Sequence, residues 1–183
     1  MDSTNNKKLK IAFGGKMGTG KDCAVQYLKT MFPQSVKVAF SDGIYDILHY
    51  AQTKCGFPKV KDRAFLQWVG TDWAHKIDNH VWINMTLNSL PQDKHVFLSD
   101  IRFKTELEAL KKDGWLCIKL IRTNVDSDRK GNGNESHCSE TELDLISDTN
   151  WDYIIENNGT IEELYNKLYG ILYEINKSNK TQT

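Results

Sequence analysis

Leu9–Asp22, reading LKIAFGGKMGTGKD, restricts the fold more than any other stretch of the chain. Leu9, Ile11, Ala12 and Phe13 predict a buried strand, which breaks into Gly14 and Gly15. Lys16, Met17, Gly18, Thr19, Gly20 and Lys21 follow, and then CAVQYLKTMF, an apolar helical pattern. A strand, a glycine-rich turn and a helix start form the context in which G-x-x-x-x-G-K becomes a phosphate-binding loop. The glycines let successive backbone N–H groups point inward at an anion, beside the positive end of the helix. Lys21 adds a fixed cation against the outer phosphates. The competing reading is a glycine turn that only joins a strand to a helix, and both flanks argue against it.

Asp22 stands where such a loop usually carries Ser or Thr for Mg²⁺. A carboxylate suits that hard ion, directly or through water. It equally suits a helix N-terminus, where an acidic group stabilises by about 0.3–1 kcal/mol. Both readings stay open on the sequence.

With 183 residues, the chain fits one domain with one sizeable core. A hydrophobic content of 39%, with five Trp, seven Tyr and seven Phe, is enough to fold it. Basic and acidic residues balance at 24 each, without the basic excess of a general nucleic-acid binder. Cys23, Cys55, Cys117 and Cys138 form no C-x-x-C pair, so neither zinc nor a redox couple is expected. The polar start MDSTNNKKLK has no signal-peptide core, and no apolar run is long enough to span a membrane. The chain therefore reads as cytoplasmic, with reduced thiols.

Residues 1–7 and 177–183 are expected to be disordered tails around a single domain at 8–176. A helix over Cys23–Phe32 stops at Pro33, and VKVAF (residues 36–40) predicts a second strand ending at Ser41-Asp42-Gly43. Ile44, Ile47, Leu48 and Ala51 then share a helical face. Residues 60–90 predict two helical pieces parted by Gly70-Thr71-Asp72, with Arg63 and Gln67 on one side of the first. In the second, Trp73, Ile77, Val81 and Met85 read as a core stripe. The spacings of His75, Asp78 and His80 favour a solvated helix over a metal site. HVFL, WLCIKLIR and DYIIE predict three more strands, separated by a helix after Arg102 and by a polar loop over about 123–139. Such a length suggests a lid or a mobile surface loop, and Arg129 with Lys130 could close over phosphates from it. Thr160 to Glu163 forms a capping box that opens a last helix, whose buried face is expected to be Ile161, Leu164, Leu168, Ile171, Leu172 and Ile175.

Five strands alternating with helices give an α/β domain, three layers deep, around a five-stranded parallel sheet whose order cannot be read from the chain. Gly14–Lys21, Ser41–Asp42, Asp100–Arg102 and Arg122 all fall at carboxyl ends of strands, where open sheets bind ligands. A regulatory GTPase is disfavoured, because neither NKLY at Asn166 nor NKSN at Asn176 supplies the Asp of N-K-x-D. The helical insert at about 42–90 and the polar loop suit a small-molecule kinase with this P-loop fold. A non-catalytic nucleotide-binding switch or scaffold is the alternative of another class.

At this point the chain resembles the bacteriophage and viral deoxynucleoside monophosphate kinases. It shares their G-K-D ending, an R-x-x-x-Q-x-x-G-T-D segment (Arg63, Gln67, Gly70, Thr71, Asp72) and an aromatic helix around Trp82. D-x-R at Asp100 and Arg102 is followed by a helix containing Glu106; then come His137, Ser139 and Glu140, and a closing D-x-x-I-x-N-x-G from Asp152 to Gly159. It departs from them in lacking a stretch before Arg63 and in not keeping Gly-Pro near Asp42-Gly43, where an acceptor base would be read. Animal-type phosphomevalonate kinases are similar too and give the second reading.

The resemblance implies ATP-dependent phosphorylation of deoxynucleoside monophosphates to diphosphates, with small-molecule substrates, no nucleic acid or membrane, and homodimerisation left open. Gly15, Lys16, Gly18, Thr19, Gly20, Lys21, Asp22 and Cys23 are then expected at the ATP phosphates, and Asp22 and Asp100 at Mg²⁺, directly or through water. Arg63, Gln67, Gly70, Thr71, Trp82, Asp100 and Arg102, with Ile44 and Tyr45, are expected around the acceptor. Lys21, Arg102 and Arg129 are the expected catalytic cations. If the chain is viral, the compartment implied is the host cytoplasm.

Overall fold

A computed structural model describes residues 8–123 and 142–181. Its centre is β1 (Lys10–Gly14), whose Ile11, Ala12 and Phe13 are almost wholly buried. β1 pairs in parallel with β3 (Val96–Ile101) on one side and β4 (Leu116–Ile121) on the other. β2 (Val36–Val38) adds to the outer edge of β3 and β5 (Tyr153–Glu156) to that of β4, giving the order β2-β3-β1-β4-β5. Every pairing is parallel, so each strand needs a crossover to bring the chain back, and helices supply those between β1 and β2, β2 and β3, and β3 and β4.

Alternation along the strands sends neighbouring side chains to opposite faces. Ala12, Leu98 and Cys117 meet Val69, Trp82 and Ile83 from the insert, and Leu107 and Leu110 from α5 (Lys104–Lys112). Ile11, Phe13, Phe97 and Ile118 face α1 (Lys21–Met31) and α6 (Ile161–Thr181), which bury Ala24, Val25, Leu28, Leu164 and Leu168. The three layers and all five parallel strands agree with the expectation from sequence.

Several boundaries differ, each for a local reason. β2 stops at Val38 because carboxylates take the next amides away from the ladder. The Ala39 N–H donates to Asp42 Oδ2 (2.8 Å), and the Phe40 and Ser41 N–H groups donate to Asp100 (3.0 Å each). The chain then enters α2 (Asp42–Cys55). In the insert, α3 (Arg63–Gln67) is capped by Asp62, whose carboxylate accepts from the Phe65 N–H at 2.9 Å. It runs without a break into a π-wound segment, Trp68–His75, so Gly70-Thr71-Asp72 lie inside a helix instead of parting two. The break falls instead at Asp78–His80, before α4 (Val81–Asn88).

The wider winding, bonded i to i+5, also turns the apolar face away from the 3.6-residue expectation. Of the expected stripe, Trp73, Ile77 and Met85 are 48%, 74% and 50% exposed and Val81 is half-buried against the core, while Val69, Ala74, Trp82 and Ile83 are buried. In α6, Leu164, Leu168, Ile171 and Leu172 are buried as expected, but Ile161 in its first turn is exposed. Residues 177–181, expected in a tail, continue this helix. No helix among the described residues is long and apolar enough to cross a membrane.

Candidate active site

The loop after β1 is shaped by contacts that exclude side chains. Gly15 has φ +143°, and a Cβ there would lie 2.3 Å from the Leu120 carbonyl oxygen. Gly20 has φ +99°, and its Cβ would lie 2.6 Å from Asn157 Nδ2. Both positions are closed to other residues on backbone conformation and on space. Thr19 is buried beneath the loop, its hydroxyl donating to the Lys16 carbonyl at 2.8 Å. Asn157, leaving β5, donates from Nδ2 to the Thr19 carbonyl at 2.9 Å and from its backbone N–H to Ile121 at 2.7 Å. One buried amide thus ties the loop to the end of the sheet.

Lys21 opens α1 and folds back across the loop, with Nζ donating to the carbonyls of Gly15 (2.5 Å) and Lys16 (2.7 Å). The Lys16 ammonium is turned away to Asp144 at 2.8 Å. Asp22 Oδ1 accepts from Lys37 Nζ (2.7 Å) and Ser99 Oγ (3.1 Å). Partial burial opposes its charge, but the Lys37 ammonium, the Ser99 hydroxyl and nearby Lys21 outweigh burial and lower its pKa.

Asp100 closes β3 in a different environment. Its carboxylate accepts from the Phe40 N–H, the Ser41 N–H and the Ser41 hydroxyl (2.9 Å), which anchors the β2–α2 turn. Burial raises its pKa, against the pull of these donors and of Arg102.

Gly15, Gly18, Gly20, Lys21, Asp22 and Cys23 line a cleft of about 880 Å³ together with Tyr45, Arg63, Asp100 and Arg102. The structure thus brings these ten of the expected phosphate and acceptor residues to one cavity, whereas Lys16 and Thr19 of the loop are not in its lining. Lys37, Lys61 and Arg122 add charge to the same walls.

Other expected acceptor residues stand elsewhere. Trp82 is buried, with its indole N–H donating to the Gly70 carbonyl at 2.9 Å. Gly70 is small because Ile44 packs on it, where a Cβ would lie 2.7 Å from Ile44 Cδ1. These three form the packing behind the wall, and neither Gln67 nor Thr71 reaches the cleft lining. Arg129, Lys130, His137, Ser139 and Glu140 lie outside the described residues.

Sequence reasoning passed over Lys37, Ser99, Lys61 and Asn157 as site residues. Ser99 and Asn157 each had a signal, adjacency to Asp100 and a place in the closing motif. Lys37 had none beyond being the outward residue of a short strand.

Residues 59–168 match a family model described as deoxynucleotide monophosphate kinase. The chain belongs to that family. It is 30% identical over 149 residues to the uncharacterised ORF77 protein of Ictalurid herpesvirus 1, covering 78% of this chain and 62% of that one. A protein of Acanthamoeba polyphaga mimivirus, provisionally named deoxynucleotide monophosphate kinase, is 30% identical over 132 residues, 64% of each chain. The chain therefore spans under two thirds of the length of these relatives.

Among solved structures, a gluconokinase from Sinorhizobium meliloti 1021 superposes with a TM-score of 0.58 at 14% identity, covering 97% of this chain and 98% of that one. Shikimate kinase from Acinetobacter baumannii, in complex with shikimate, gives 0.53 at 18% identity, covering 94% and 98%. At such identities the likeness is one of fold: the α/β sheet with its phosphate loop.

Proposed function

We propose that the chain transfers the γ-phosphoryl group of ATP to the phosphate of a deoxynucleoside monophosphate, giving the diphosphate used for DNA precursors in the cytoplasm. The observation that carries this reading is one cleft lined by both the phosphate loop and Lys61, Arg63, Arg102 and Arg122. A neutral sugar hydroxyl as acceptor would need no such charge opposite the donor. A monophosphate would, and guanidinium forks suit its oxygens.

Such a transfer asks little covalent help of the protein, since positioning and charge stabilisation supply most of the rate. The loop amides and Lys21 hold the β and γ phosphates. Arg63 and Arg102 hold the acceptor in line, so that its oxygen bonds to the γ-phosphorus while the bond to the β–γ bridging oxygen breaks and ADP leaves. The acceptor oxygen is already anionic, so no general base is assigned.

The chemistry of the donors fits Mg²⁺ at Asp22. That carboxylate stays charged, faces the cleft and accepts hydrogen bonds through Oδ1 alone among the described residues. Mg²⁺ binds through one or two carboxylates and keeps several waters. Asp100 is the poorer candidate, because three donors already occupy its carboxylate. When bound, the ion would neutralise charge on the β and γ phosphates.

An ADP-release assay over deoxynucleoside monophosphates, ribonucleoside monophosphates and phosphomevalonate tests the reading. Turnover of at least one deoxynucleoside monophosphate is expected. Turnover of phosphomevalonate alone would replace the acceptor, and nucleotide binding without any turnover would make the chain a switch or scaffold.

A further inference from the structure

We infer that Glu106 is a positioning residue for the acceptor arginines, a role that rests on the reading of Arg63 and Arg102 as phosphate ligands. Glu106 is the third residue of α5 and is buried. Its Oε2 accepts from the N–H groups of Arg102 (2.6 Å) and Phe103 (3.0 Å). Amides at a helix N-terminus have no partner within the helix, so these two depend on an acceptor from outside the ladder.

They also flank the Arg102 Cα on either side. Fixing both amides on one oxygen fixes the direction in which the Arg102 side chain leaves the backbone and enters the cleft. The neighbouring residue extends the effect across the molecule. The Phe103 ring stacks on His75 with centroids 4.3 Å apart and planes at 23°. His75 ends the π-wound segment that continues α3, and α3 begins with Arg63. The turn held by Glu106 is therefore also a seat for the helix that brings Arg63 to the other wall.

Charge on Glu106 is not needed for this role. A glutamine keeps the oxygen at the same reach, whereas alanine removes it and aspartate draws it back by one methylene. Losing the acceptor leaves the buried Phe103 amide and the half-buried Arg102 amide without their shared acceptor, and small misplacements near reacting groups are costly to rate.

The experiment is steady-state kinetics of the full chain with the monophosphate that the wild type turns over best, varying ATP and acceptor in turn. Glu106→Ala and Glu106→Asp are expected to raise the acceptor KM by about tenfold or more while moving the ATP KM by less than about twofold. Glu106→Gln is expected to stay within about threefold of wild type for both substrates. Thermal melts identify a variant that has not folded, and Glu106→Asp keeps the comparison if Glu106→Ala is lost. Equal rises in both KM values, or a Glu106→Gln variant as impaired as Glu106→Ala, would overturn the positioning role and leave the proposed function standing. A wild-type chain that turns over no monophosphate would remove the acceptor-site reading, and the positioning role with it.

Discussion

Lys21 and Glu106 are two ionisable groups whose surroundings set them opposite tasks. Lys21 spans the loop it belongs to, bonded to two of its carbonyls, so its charge is held against that loop. A preorganised charge of this kind gains in the transition state because nothing need reorganise around it. Lys21→Ala should therefore cut kcat by on the order of 10²–10³-fold while far-UV circular dichroism and the melting temperature stay close to wild type. Near-normal turnover would take the loop out of the chemistry.

Glu106 is instead driven toward neutrality. Burial, aided by the charge of Asp100 and opposed by the two backbone donors and Arg102, raises its pKa from 4.5 to about 8. Between those values the folded chain keeps a proton that the unfolded chain has released, so the Glu106 contribution to stability falls as pH rises. The pull is fully lost only above about 8. His75 and His95, with pKa values lowered first by burial, push the other way near neutral pH, so the total slope mixes signs. The difference between wild type and Glu106→Gln isolates the carboxyl. Melting temperatures taken from pH 5 to 9 should show Glu106→Gln gaining on wild type as pH rises. A constant gap would mean that Glu106 titrates in the ordinary carboxylate range.

Between elements, the loop and the sheet end at β5 act as one piece. Asn157 holds the Thr19 carbonyl and fills the space that a Gly20 side chain would need. Asn157→Ala leaves that carbonyl without its partner, at a cost of about 1–3 kcal/mol where the site stays buried. The ATP KM should rise and the melting temperature fall, with the acceptor KM nearly unchanged; a larger effect on the acceptor would place the tie elsewhere.

This scale also marks how far the sequence could be read. The β1–loop–α1 unit was legible because a buried strand, glycines at forced turns and an apolar helix leave few alternatives. The five strands were legible from their apolar runs, but their order depends on docking between distant segments. Arg63 and Arg102 were legible as cleft residues through the motifs around them. The insert was not, because the π-wound Trp68–His75 and the break at Asp78–His80 interrupt the 3.6-residue template on which the Trp73, Ile77, Val81 and Met85 stripe was drawn, leaving Val81 on the core and the other three exposed. Trp82 and Gly70 were read as acceptor contacts because an aromatic ring and a glycine look alike whether they face a base or each other. The early end of β2 was hidden for a related reason: it depends on Asp100, sixty residues away from Phe40.

The whole chain is electrically neutral, with 24 basic and 24 acidic residues, yet its charge is sorted. Lys21, Lys37, Lys61, Arg63, Arg102 and Arg122 line the cleft, against Asp22, Asp42 and Asp100. Asp22 is paired with Lys37, Asp42 accepts the Ala39 amide and Asp100 the amides of Phe40 and Ser41, so the acids are tied to the scaffold. A cleft with an excess of one sign of charge concentrates an oppositely charged ligand, and salt weakens that attraction with distance. Raising ionic strength from about 0.01 M to 0.15 M shortens the screening length from about 30 Å to about 8 Å. The kcat/KM for a dianionic acceptor should fall by about tenfold or more over that range. Stability should change little, since the ion pairs on the outside of the molecule are worth about 0–1 kcal/mol each. Measuring kcat/KM and melting temperature in the same salt series separates the two. A catalytic efficiency indifferent to salt would mean that the cations of the cleft are neutralised within the protein and do not draw in the acceptor.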